Sequence, residues 1–424
     1  MSPDNDGVKV ISKLSFILTI CPSPDRLLVM IARHISATVK RAARHYPIVA
    51  IIGPRQSGKT TLARALFPRF AYVNLEAPDM RLFATRDPRG FLATYPAHAI
   101  FDEVQRTPEL FSYLQVHADE SEKQGQHILT GSQNFLMMKN ISQSLAGRVA
   151  IHTLLPFSSG ELATHRFLPP ATHWSHPVFL GGYPRAVISP GESPTQWYGN
   201  YVQTYLDRDV RLLSAVGDIT SFERFLRLCA GRVGQIVNLS SLANDTGISH
   251  NTAKAWLSIL EASFIVFTLQ PYYKNFNKRL IKSPKLYFYD TGLACWLLGI
   301  TGEAQIITHP LAGALFETWI VSEYYKWRFN RGDRPRAYFW RDKTGHEIDL
   351  LVDETGRLFP IEVKSGTTVG GDFFKNISYF QTLTDTKASA VIYGGVDTQQ
   401  RFQTTVYPWR EIDRLFTQSD RIAR

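Results

Sequence analysis

The chain has 424 residues, of which 44% are apolar and 20% are charged, and these values exclude a mainly disordered protein. Its length predicts about three domains, and no apolar run approaches the roughly 20 residues that span a bilayer. The 47 lysines and arginines exceed the 37 aspartates and glutamates by 10, which favours anionic partners such as nucleotides or nucleic acid. The three cysteines, Cys21, Cys229 and Cys295, lie too far apart for a disulfide scaffold or a cysteine-rich zinc site, which fits a reducing cytoplasm.

The first elements along the chain predict an α/β domain over residues 30–160. Residues 1–29 precede it as an N-terminal extension, and translation from Met30 is the alternative to translation from Met1. A basic amphipathic helix is predicted over residues 31–46. The apolar, β-branched run 48–52 predicts a strand buried on both faces of a parallel sheet, and short strands are predicted at 72–75, 98–101 and 127–130. Strands that alternate with helices indicate a doubly wound sheet with ligands at the carboxyl ends of its strands.

A complete phosphate-binding loop follows the first strand. Residues 53–60 match G-x-x-x-x-G-K-[ST] in full. The glycines allow backbone N–H groups to surround phosphate oxygens, Lys59 reaches the β- and γ-phosphates, and the Thr60 hydroxyl binds Mg²⁺. The motif therefore predicts an ATP site with Mg²⁺, whose binding residues are Gly53, Pro54, Arg55, Gln56, Ser57, Gly58, Lys59, Thr60 and Thr61.

Four further residues are candidates for catalysis in this domain. The apolar strand 98–101 ends in Asp102 and Glu103. Asp102 is predicted to hold Mg²⁺ and Glu103 to act as the base that orients the attacking water. Ser132 follows the strand 127–130 and is a candidate to polarise the γ-phosphate or the water, with a simple polar turn as the alternative. Arg148 is a candidate arginine finger for a neighbouring subunit, with a solvated surface arginine as the alternative.

These motifs resemble those of the prokaryotic AAA-type ATPases that carry a C-terminal domain of unknown function. The resemblance runs from about residue 31 to 412. It implies ATP binding, ATP hydrolysis and a cytoplasmic location, and it leaves the biological role open. The stretches that carry it are 53–62, 101–105, 129–132, 145–148, 155–158, 181–184, 205–209, 282–292 and 359–364.

Residues 161–305 are predicted to form a mainly helical module that contains a winged helix. Ser240 and Ser249 are predicted to cap two short helices that meet at a tight turn at Gly247. Strands at 264–269 and 285–289 then flank a basic segment, Lys274–Lys285. Contact of this basic wing with DNA is one interpretation, and packing against protein is the other.

Residues 306–424 are predicted to form a smaller α/β domain that resembles the core of restriction-type nucleases. A two-residue turn at 355–356 would place Asp349 opposite Glu362, with Lys364 on the same face. Two facing carboxylates can hold Mg²⁺, and the lysine can stabilise charge on a phosphate. Glu317, on the helix predicted over 311–328, would add a third carboxylate. The alternative is a core that no longer cleaves and serves in DNA docking or as structure.

The sequence thus predicts an α/β protein with a P-loop parallel-sheet domain, a mainly helical winged-helix module and a nuclease-like domain. Its predicted function is a Mg²⁺-dependent ATPase whose nucleotide state controls a C-terminal region acting on DNA or a protein partner. The alternatives are a nucleotide-gated regulatory protein with negligible turnover and an ATP-controlled DNA nuclease. A homo-oligomer is a further expectation, and a membrane partner is not expected.

Overall fold

The computed structural model describes most of the chain beyond its N-terminus. The described residues are 31–121, 123–132, 144–164, 170–189, 191–206, 210, 216–272, 283–354 and 356–423. The N-terminal extension 1–29, the alternative start Met30, and the wing residues up to position 282 lie outside these ranges.

A five-stranded parallel sheet forms the first domain, in the strand order β2-β3-β4-β1-β5. The doubly wound arrangement is confirmed, because β1 is buried along its whole length and its side chains face two apolar clusters on opposite sides of the sheet. β5 was not predicted, and the basic helix predicted over 31–46 is confined to α1. The strands are β1 (Ile48–Ile52), β2 (Ala71–Asn74), β3 (Ala99–Asp102), β4 (His127–Gly131) and β5 (Val149–Thr153), and the helices are α1 (Ser36–Ala42), α2 (Lys59–Leu66), α3 (Pro78–Arg86), α4 (Pro88–Thr94) and α5 (Leu110–Ser121).

A mainly helical region follows the parallel sheet. It includes a two-stranded antiparallel sheet formed by β6 and β7. The helices are α6 (Ser159–Ala163), α7 (Ser175–Leu180), α8 (Pro184–Ile188), α9 (Pro194–Tyr205), α10 (Ile219–Ala230), α11 (Leu239–Thr246), α12 (His250–Ala262), α13 (Thr291–Leu297) and α14 (Glu303–Thr308), and the strands are β6 (Val266–Leu269) and β7 (Lys285–Phe288).

The predicted helix-turn-helix is present, with one capping residue corrected. Ser249 caps α12, because its side chain accepts a hydrogen bond from the Thr252 N–H at 3.1 Å. Gly247 ends α11 in the left-handed conformation. The cap of α11 is Asn238 rather than Ser240, because Asn238 has the extended backbone of an N-cap and Ser240 already lies inside the helix.

The C-terminal region is a six-stranded mixed sheet in the order β12-β13-β11-β10-β9-β8. The predicted hairpin register is confirmed from Arg357 opposite Glu354 to Ile361 opposite Leu350. Backbone pairing in that hairpin ends there, one residue short of Asp349 and Glu362. The strands are β8 (Ala337–Arg341), β9 (Glu347–Glu354), β10 (Arg357–Lys364), β11 (Ser389–Tyr393), β12 (Gln399–Arg401) and β13 (Thr404–Pro408), and the helices are α15 (Ala312–Arg331), α16 (Lys375–Leu383) and α17 (Ile412–Ala423).

One apolar cluster continues through all three regions. It runs from Ile48 on β1 through Trp256 on α12 and Trp319 on α15 to Phe416 on α17. α15 is buried around most of its circumference and packs on β5, β7, β10 and α17. Within the described ranges, no helix combines the length and the apolar character needed to cross a membrane.

Candidate functional site

The phosphate-binding loop joins β1 to α2 in a conformation that requires glycine at two positions. Gly53 has a φ of 152°, and a Cβ there would lie 2.1 Å from the carbonyl oxygen of Leu154. Gly58 has a φ of 94° and directly precedes Lys59, the first residue of α2. The loop therefore delivers the N-terminus of α2 to the carboxyl edge of the sheet, where unpaired N–H groups attract anions.

Two polar side chains of the loop are buried inside it. The Lys59 ammonium donates hydrogen bonds to the carbonyl oxygens of Gly53, at 3.1 Å, and Pro54, at 2.8 Å. Ser57 is fully buried, and its hydroxyl has no hydrogen-bond partner among the described residues. A buried hydroxyl in this state fits a loop shaped for an anionic ligand.

Pro54 is buried, whereas the predicted binding residues Arg55, Gln56 and Thr61 are partly or fully exposed. Arg55 pairs with Glu76 at 3.4 Å, and Glu76 also contacts Arg106 at 3.7 Å. Gln56 adopts a left-handed φ of 60°, and Thr61 is exposed on the first turn of α2.

Asp102 and Thr60 lie together, as predicted. The Thr60 hydroxyl lies 2.9 and 3.1 Å from the two carboxylate oxygens of Asp102. The hydroxyls of Tyr72, at 2.7 Å, and Thr130 donate to the same carboxylate. Burial, together with the hydrogen bond to Asp102, raises the pKa of the Tyr72 phenol. This oxygen-rich set is the donor type that Mg²⁺ prefers.

Glu103 and Ser132 also lie together. The Ser132 hydroxyl donates to Glu103 Oε2 at 3.0 Å, and the Gln105 amide donates to the same oxygen at 2.5 Å. Glu103 has a left-handed φ of 56°. A strained non-glycine backbone at this position is typical of functional sites.

Arg33 is a loop anchor that the sequence argument missed. Its guanidinium donates to the carbonyl oxygens of Ser57, at 2.9 Å, and Leu155, at 2.6 Å, and pairs with buried Glu161 at 3.1 Å. It thus ties the phosphate-binding loop to the segment that follows β5. In the sequence Arg33 is one of several cations in a basic stretch, and nothing there distinguishes it from its neighbours.

Arg148 lies at the amino ends of the parallel strands, whereas the phosphate-binding loop lies at their carboxyl ends. It precedes β5, whose five residues pair in register with those of β1, so roughly 16 Å of strand separates it from the loop. Its guanidinium forms a bidentate pair with Asp119 at 2.5 and 2.8 Å. Hydrogen bonding from Arg148 lowers the pKa of Asp119. The structure therefore separates Arg148 from the ATP site of its own subunit.

A second cluster of acidic groups lies between β7, α15 and β9. Carboxylate oxygens of Glu317, Glu347 and Asp349 all lie within 4.8 Å of one another. Lys285 donates to Glu317 at 2.8 Å and pairs with Glu347, and the Tyr287 hydroxyl donates to Glu317 at 2.5 Å. Burial raises the pKa of Glu317.

This placement corrects the expectation that Lys285 contacts DNA. Its side chain is only 3% exposed and its ammonium is paired with two carboxylates, so it is not available to a phosphate in this structure. The other wing lysines lie outside the described residues.

Glu362 and Lys364 form the other half of the predicted nuclease-like set. Lys364 donates to Glu362 Oε1 at 2.7 Å, and the Asn376 amide donates to the same oxygen at 3.1 Å. Asp349 Oδ2 accepts from the Val363 N–H at 2.8 Å. Burial and the nearby Asp349 carboxylate raise the pKa of Glu362. The predicted residues are therefore brought to one end of β9 and β10, and Lys285, Tyr287 and Glu347 are neighbours that were not predicted.

Comparison with known proteins identifies the class as AAA-type ATPases. Residues 45–163 match a family model described as an AAA domain. Residues 172–304 and 312–412 match two domains of unknown function, DUF8612 and DUF4143. The chain belongs to the prokaryotic AAA-type ATPases that carry a C-terminal domain of unknown function, as its motifs indicated.

The chain is also similar to curated and structurally characterised proteins. Uncharacterised proteins of Mycobacterium tuberculosis and Mycobacterium bovis are each 30% identical over 342 residues, which is 79% of this chain and 74% of theirs. A Walker-type ATPase of Pyrococcus abyssi matches at 16% identity and a TM-score of 0.42, over 62% of this chain and 94% of that chain. AMPPCP-bound DnaA from Aquifex aeolicus matches at 16% identity and a TM-score of 0.30, over 54% of this chain and 85% of that chain.

Proposed function

We propose that the protein is a Mg²⁺-dependent ATPase whose site lies at the carboxyl edge of the parallel sheet. The observation that carries the proposal is the hydrogen-bonded pair of Thr60 and Asp102 beneath a complete phosphate-binding loop. Thr60 and Asp102 would hold Mg²⁺, because hydroxyl and carboxylate oxygens suit that hard cation. The bound Mg²⁺ would neutralise phosphate charge.

The loop residues have separate roles in this proposal. Lys59 exchanges its two loop carbonyl partners for phosphate oxygens, since an ammonium gains more from a charged acceptor than from a neutral one. The Ser57 hydroxyl supplies a donor that is unpartnered within the described part of the chain. The other predicted binding residues shape or extend the phosphate-binding loop, and they are Gly53, Pro54, Arg55, Gln56, Gly58 and Thr61.

Glu103 acts as the base that orients the attacking water. Ser132 and Gln105 hold its Oε2, so the second carboxylate oxygen is the one that meets the water. Ser132 thereby positions Glu103, and from the end of β4 it would polarise the γ-phosphate or the attacking water. Arg148 is proposed to act on the site of a neighbouring subunit in a homo-oligomer, because it is distant from the site of its own subunit.

The nucleotide state is proposed to control the later modules. We assign the ATP-binding domain to residues 30–160, the helical linker with its winged helix to 161–305 and the nuclease-like domain to 306–424. A direct contact supports communication between them. The backbone N–H and hydroxyl of Ser159, near the Arg33 anchor of the loop, both donate to Glu323 on α15, at 2.7 and 2.9 Å. The proposed targets are DNA or a protein partner in the cytoplasm.

ATP binding and turnover measured on three variants test the ATPase proposal. Lys59→Ala should lose tight ATP binding. Glu103→Gln should keep ATP binding and lose most of its turnover, because the amide cannot accept a proton from water. Lys40→Ala, at an exposed position on α1, is the control and should match the wild type. Wild-type turnover that Glu103→Gln leaves unchanged would contradict the role of Glu103, and an absence of wild-type turnover would favour a nucleotide-gated binding protein.

A second candidate function is metal-dependent DNA cleavage by the nuclease-like domain. The contacts of Glu362 with Lys364 and of Asp349 with β10 favour it. Asp349→Asn, Glu362→Gln and Lys364→Ala should each remove cleavage and leave ATP hydrolysis intact. Wild-type protein that cuts no duplex, single-stranded or branched DNA with ATP and Mg²⁺ or Mn²⁺ would exclude this function and leave only the fold.

A further inference from the structure

The edge strand β12 leaves one side of the C-terminal sheet open. It is the last strand in the order β12-β13-β11-β10-β9-β8 and, within the described ranges, it pairs only with β13. Residues 396–398 before it, and Gln400 and Arg401 within it, are exposed. An open edge presents N–H and C=O groups with which a further strand can pair.

The backbone groups at this edge alternate between the two sides of β12. Arg401 pairs with the first residue of β13 across a two-residue turn, and residues that flank such a turn exchange hydrogen bonds, so its backbone groups face β13. The backbone groups of Asp397 also face inward, because its N–H and C=O bond to the Tyr393 hydroxyl at 3.1 and 2.9 Å. Since the direction reverses at each residue, the N–H and C=O groups of Thr398 and Gln400 point away from the sheet.

Two exposed apolar side chains flank β12. Val396 and Phe402 are the two most exposed large apolar side chains of the described residues, at 64% and 98%. They lie on the same face of the edge, because an even number of residues separates them. Phe402 has a φ of 54°, in the left-handed region where a turn favours glycine. A single chain gains nothing from a strained and solvated phenylalanine, whereas an apolar contact would offset its cost.

Two charges on the opposite face of this edge have no partner of opposite sign in the described part of the chain. Asp397 and Arg401 are both exposed. Arg401 donates to Gln399 Oε1, at 3.2 and 3.0 Å, rather than to a carboxylate. Extended backbone separates Asp397 from Arg401 by roughly 13 Å, so the two do not pair with each other.

We propose that β12 of a second copy of this chain pairs antiparallel with β12, about a two-fold axis at Gln399. Gln399 then lies opposite itself. Thr398 lies opposite Gln400 of the second copy, so the outward backbone groups hydrogen-bond in both directions. The two six-stranded sheets thereby become continuous at their edges.

The side chains select this register. It places Val396 opposite Phe402 of the second copy on one face, and Asp397 opposite Arg401 of the second copy on the other. Two-fold registers centred on residue 398 or 400 also pair the outward groups, but they place uncharged residues directly opposite both charges.

The occupant follows from this self-complementarity. Because each face of the edge complements itself about the axis, a second copy fits it better than an unrelated strand does. The strand at the centre has only three residues, so the interface is small and the dimer is weak and concentration-dependent.

Sedimentation velocity on the nucleotide-free full chain, from about 1 to 200 µM, tests the dimer. The wild type should change from monomer to dimer over this range. Phe402→Gly should weaken the dimer at least about tenfold, because both Phe–Val pairs are lost. Its melting temperature at high dilution should be no lower than that of the wild type, since glycine adopts a left-handed φ without strain. Val116→Ser, at a 54% exposed position on α5, is the control and should dimerise like the wild type.

Exchange of the two charges tests the register. Asp397→Arg and Arg401→Asp should each weaken the dimer by roughly two- to thirtyfold, because each places like charges opposite one another twice per dimer. The double variant Asp397→Arg/Arg401→Asp should recover the wild-type affinity, since opposite charges again face each other across the axis. Single variants that weaken the dimer without recovery in the double variant would contradict the register.

Cross-linking locates the axis. In a Cys21→Ser background, whose other cysteines Cys229 and Cys295 are buried, Gln399→Cys should form a disulfide-linked dimer under mild oxidation. Non-hydrogen-bonded antiparallel pairs have Cα atoms about 4.5 Å apart, which a disulfide can span. Gln400→Cys is the control, because it is more exposed and yet should cross-link more slowly.

Wild-type protein that stays monomeric at every concentration would overturn the proposal. So would faster cross-linking of Gln400→Cys, or a dimer that Phe402→Gly and the charge variants leave unchanged, because that dimer would use another surface. The proposal does not rest on ATP hydrolysis, and sedimentation without nucleotide gives its result whether or not the protein is an ATPase.

Discussion

The Asp102 carboxylate is shared among three hydroxyls, of which Tyr72 is the one most easily lost to Mg²⁺. Tyr72 comes from β2, beside β3, and is partly exposed, whereas Thr130 is fully buried. Before the Asp102 carboxylate can bind a cation, at least one of these hydroxyls has to give up its hydrogen bond to it.

Tyr72→Phe should therefore lower the Mg²⁺ concentration that half-saturates ATP hydrolysis. A lost hydrogen bond of about 1 kcal/mol corresponds to roughly a fivefold shift. Hydrolysis measured against Mg²⁺ at saturating ATP gives the value, with Tyr113→Phe, a partly exposed tyrosine of α5, as the control. A higher half-saturating concentration in Tyr72→Phe would instead mean that Tyr72 holds Asp102 in its active orientation.

Variants of Arg148 and Asp119 can distinguish an arginine finger that acts on a neighbouring subunit from an ion pair that acts only within one subunit. If Arg148 acts on a neighbouring site, Arg148→Ala should lose turnover with ATP affinity kept, and Asp119→Ala should not. Mixing Arg148→Ala with Lys59→Ala protein should then restore part of the activity, since one subunit supplies the arginine and the other the loop. Equal behaviour of Arg148→Ala and Asp119→Ala, with no recovery in subunits shown to exchange, would leave the pair a structural one.

The residues that could be predicted at this scale are those adjacent in sequence or ending neighbouring strands. The phosphate-binding loop is contiguous. Asp102 ends one parallel strand and Ser132 follows the neighbouring one, so their proximity follows from topology. Arg33, Tyr72 and Lys285 could not be predicted, because their contacts depend on how separate elements pack. Their side chains are ordinary cations or a phenol until that packing is known.

At the scale of elements, α6 is a short helix whose N-terminus is held from another region. Ser158 forms a capping box with Glu161, and Glu323 of α15 accepts hydrogen bonds from Ser159. Lys326 completes the group by donating to Glu323, at 2.8 Å, and to the carbonyl oxygen of Phe157, at 3.1 Å.

Glu323→Ala should reduce the free energy of unfolding by about 3–5 kcal/mol, because it leaves the buried Lys326 ammonium without its counter-charge. Urea unfolding followed by circular dichroism measures the loss. The double variant Glu323→Leu/Lys326→Met removes both charges and should recover much of it. A double variant less stable than Glu323→Ala would show that the pair itself, and not the lone charge, governs stability here.

His152 makes the contact between β5 and the end of α15 sensitive to pH. It is 8% exposed, and neither ring nitrogen has a hydrogen-bond partner among the residues that the structure describes. Burial lowers the pKa of His152 to about 4, from 6.5. The unfolded chain therefore takes up a proton near pH 6.5 and the folded protein only near pH 4, so stability falls as pH falls through this window.

His152→Leu should remove this contribution to the pH dependence of the free energy of unfolding. The free energy of unfolding of His152→Leu minus that of the wild type should be about 1.4 kcal/mol larger at pH 5.5 than at pH 8. Urea unfolding at the two pH values gives the difference, and the pH 8 value corrects for changes in packing. The same stability difference at both pH values would show that His152 is protonated equally in the folded and unfolded states.

Elements with strong local sequence signals could be predicted. Elements whose stability depends on packing against another part of the chain could not. β1 and the β9–β10 hairpin were predicted because an apolar β-branched run and a two-residue turn are local features. The cap of α11 was placed at Ser240 because serine is a favoured N-cap residue, but the backbone turns into the helix two residues earlier, at Asn238. β5 was not predicted, because a half-buried strand of mixed composition gains its stability from neighbours distant in sequence. β11 and β13 were not predicted either, although β11 is buried along its whole length and β13 along most of it.

At the scale of the whole molecule, α15 connects every region. It packs on β5 of the ATP-binding domain, on β7 of the helical region and on β10 of the C-terminal mixed sheet. The sequence predicted three modules in the correct order, yet it contained no signal that they share one apolar core. That sharing depends on α15 being covered around most of its circumference, and its helical pattern alone does not show which element covers each face.

A shared core predicts that the regions unfold together. Separation of the ATP-binding domain from the rest would expose apolar side chains on both sides of α15, as well as the buried Glu323–Lys326 pair, and each of these exposures opposes partial unfolding. Scanning calorimetry should therefore give one transition.

A nonhydrolysable ATP analogue with Mg²⁺ should move that whole transition to higher temperature, because a ligand bound to the folded state stabilises everything that unfolds with its site. Lys59→Ala should show the single transition without the shift. Two separate transitions, of which the ligand moves only one, would contradict cooperative unfolding and would mean that nucleotide binding stabilises the ATP-binding domain alone.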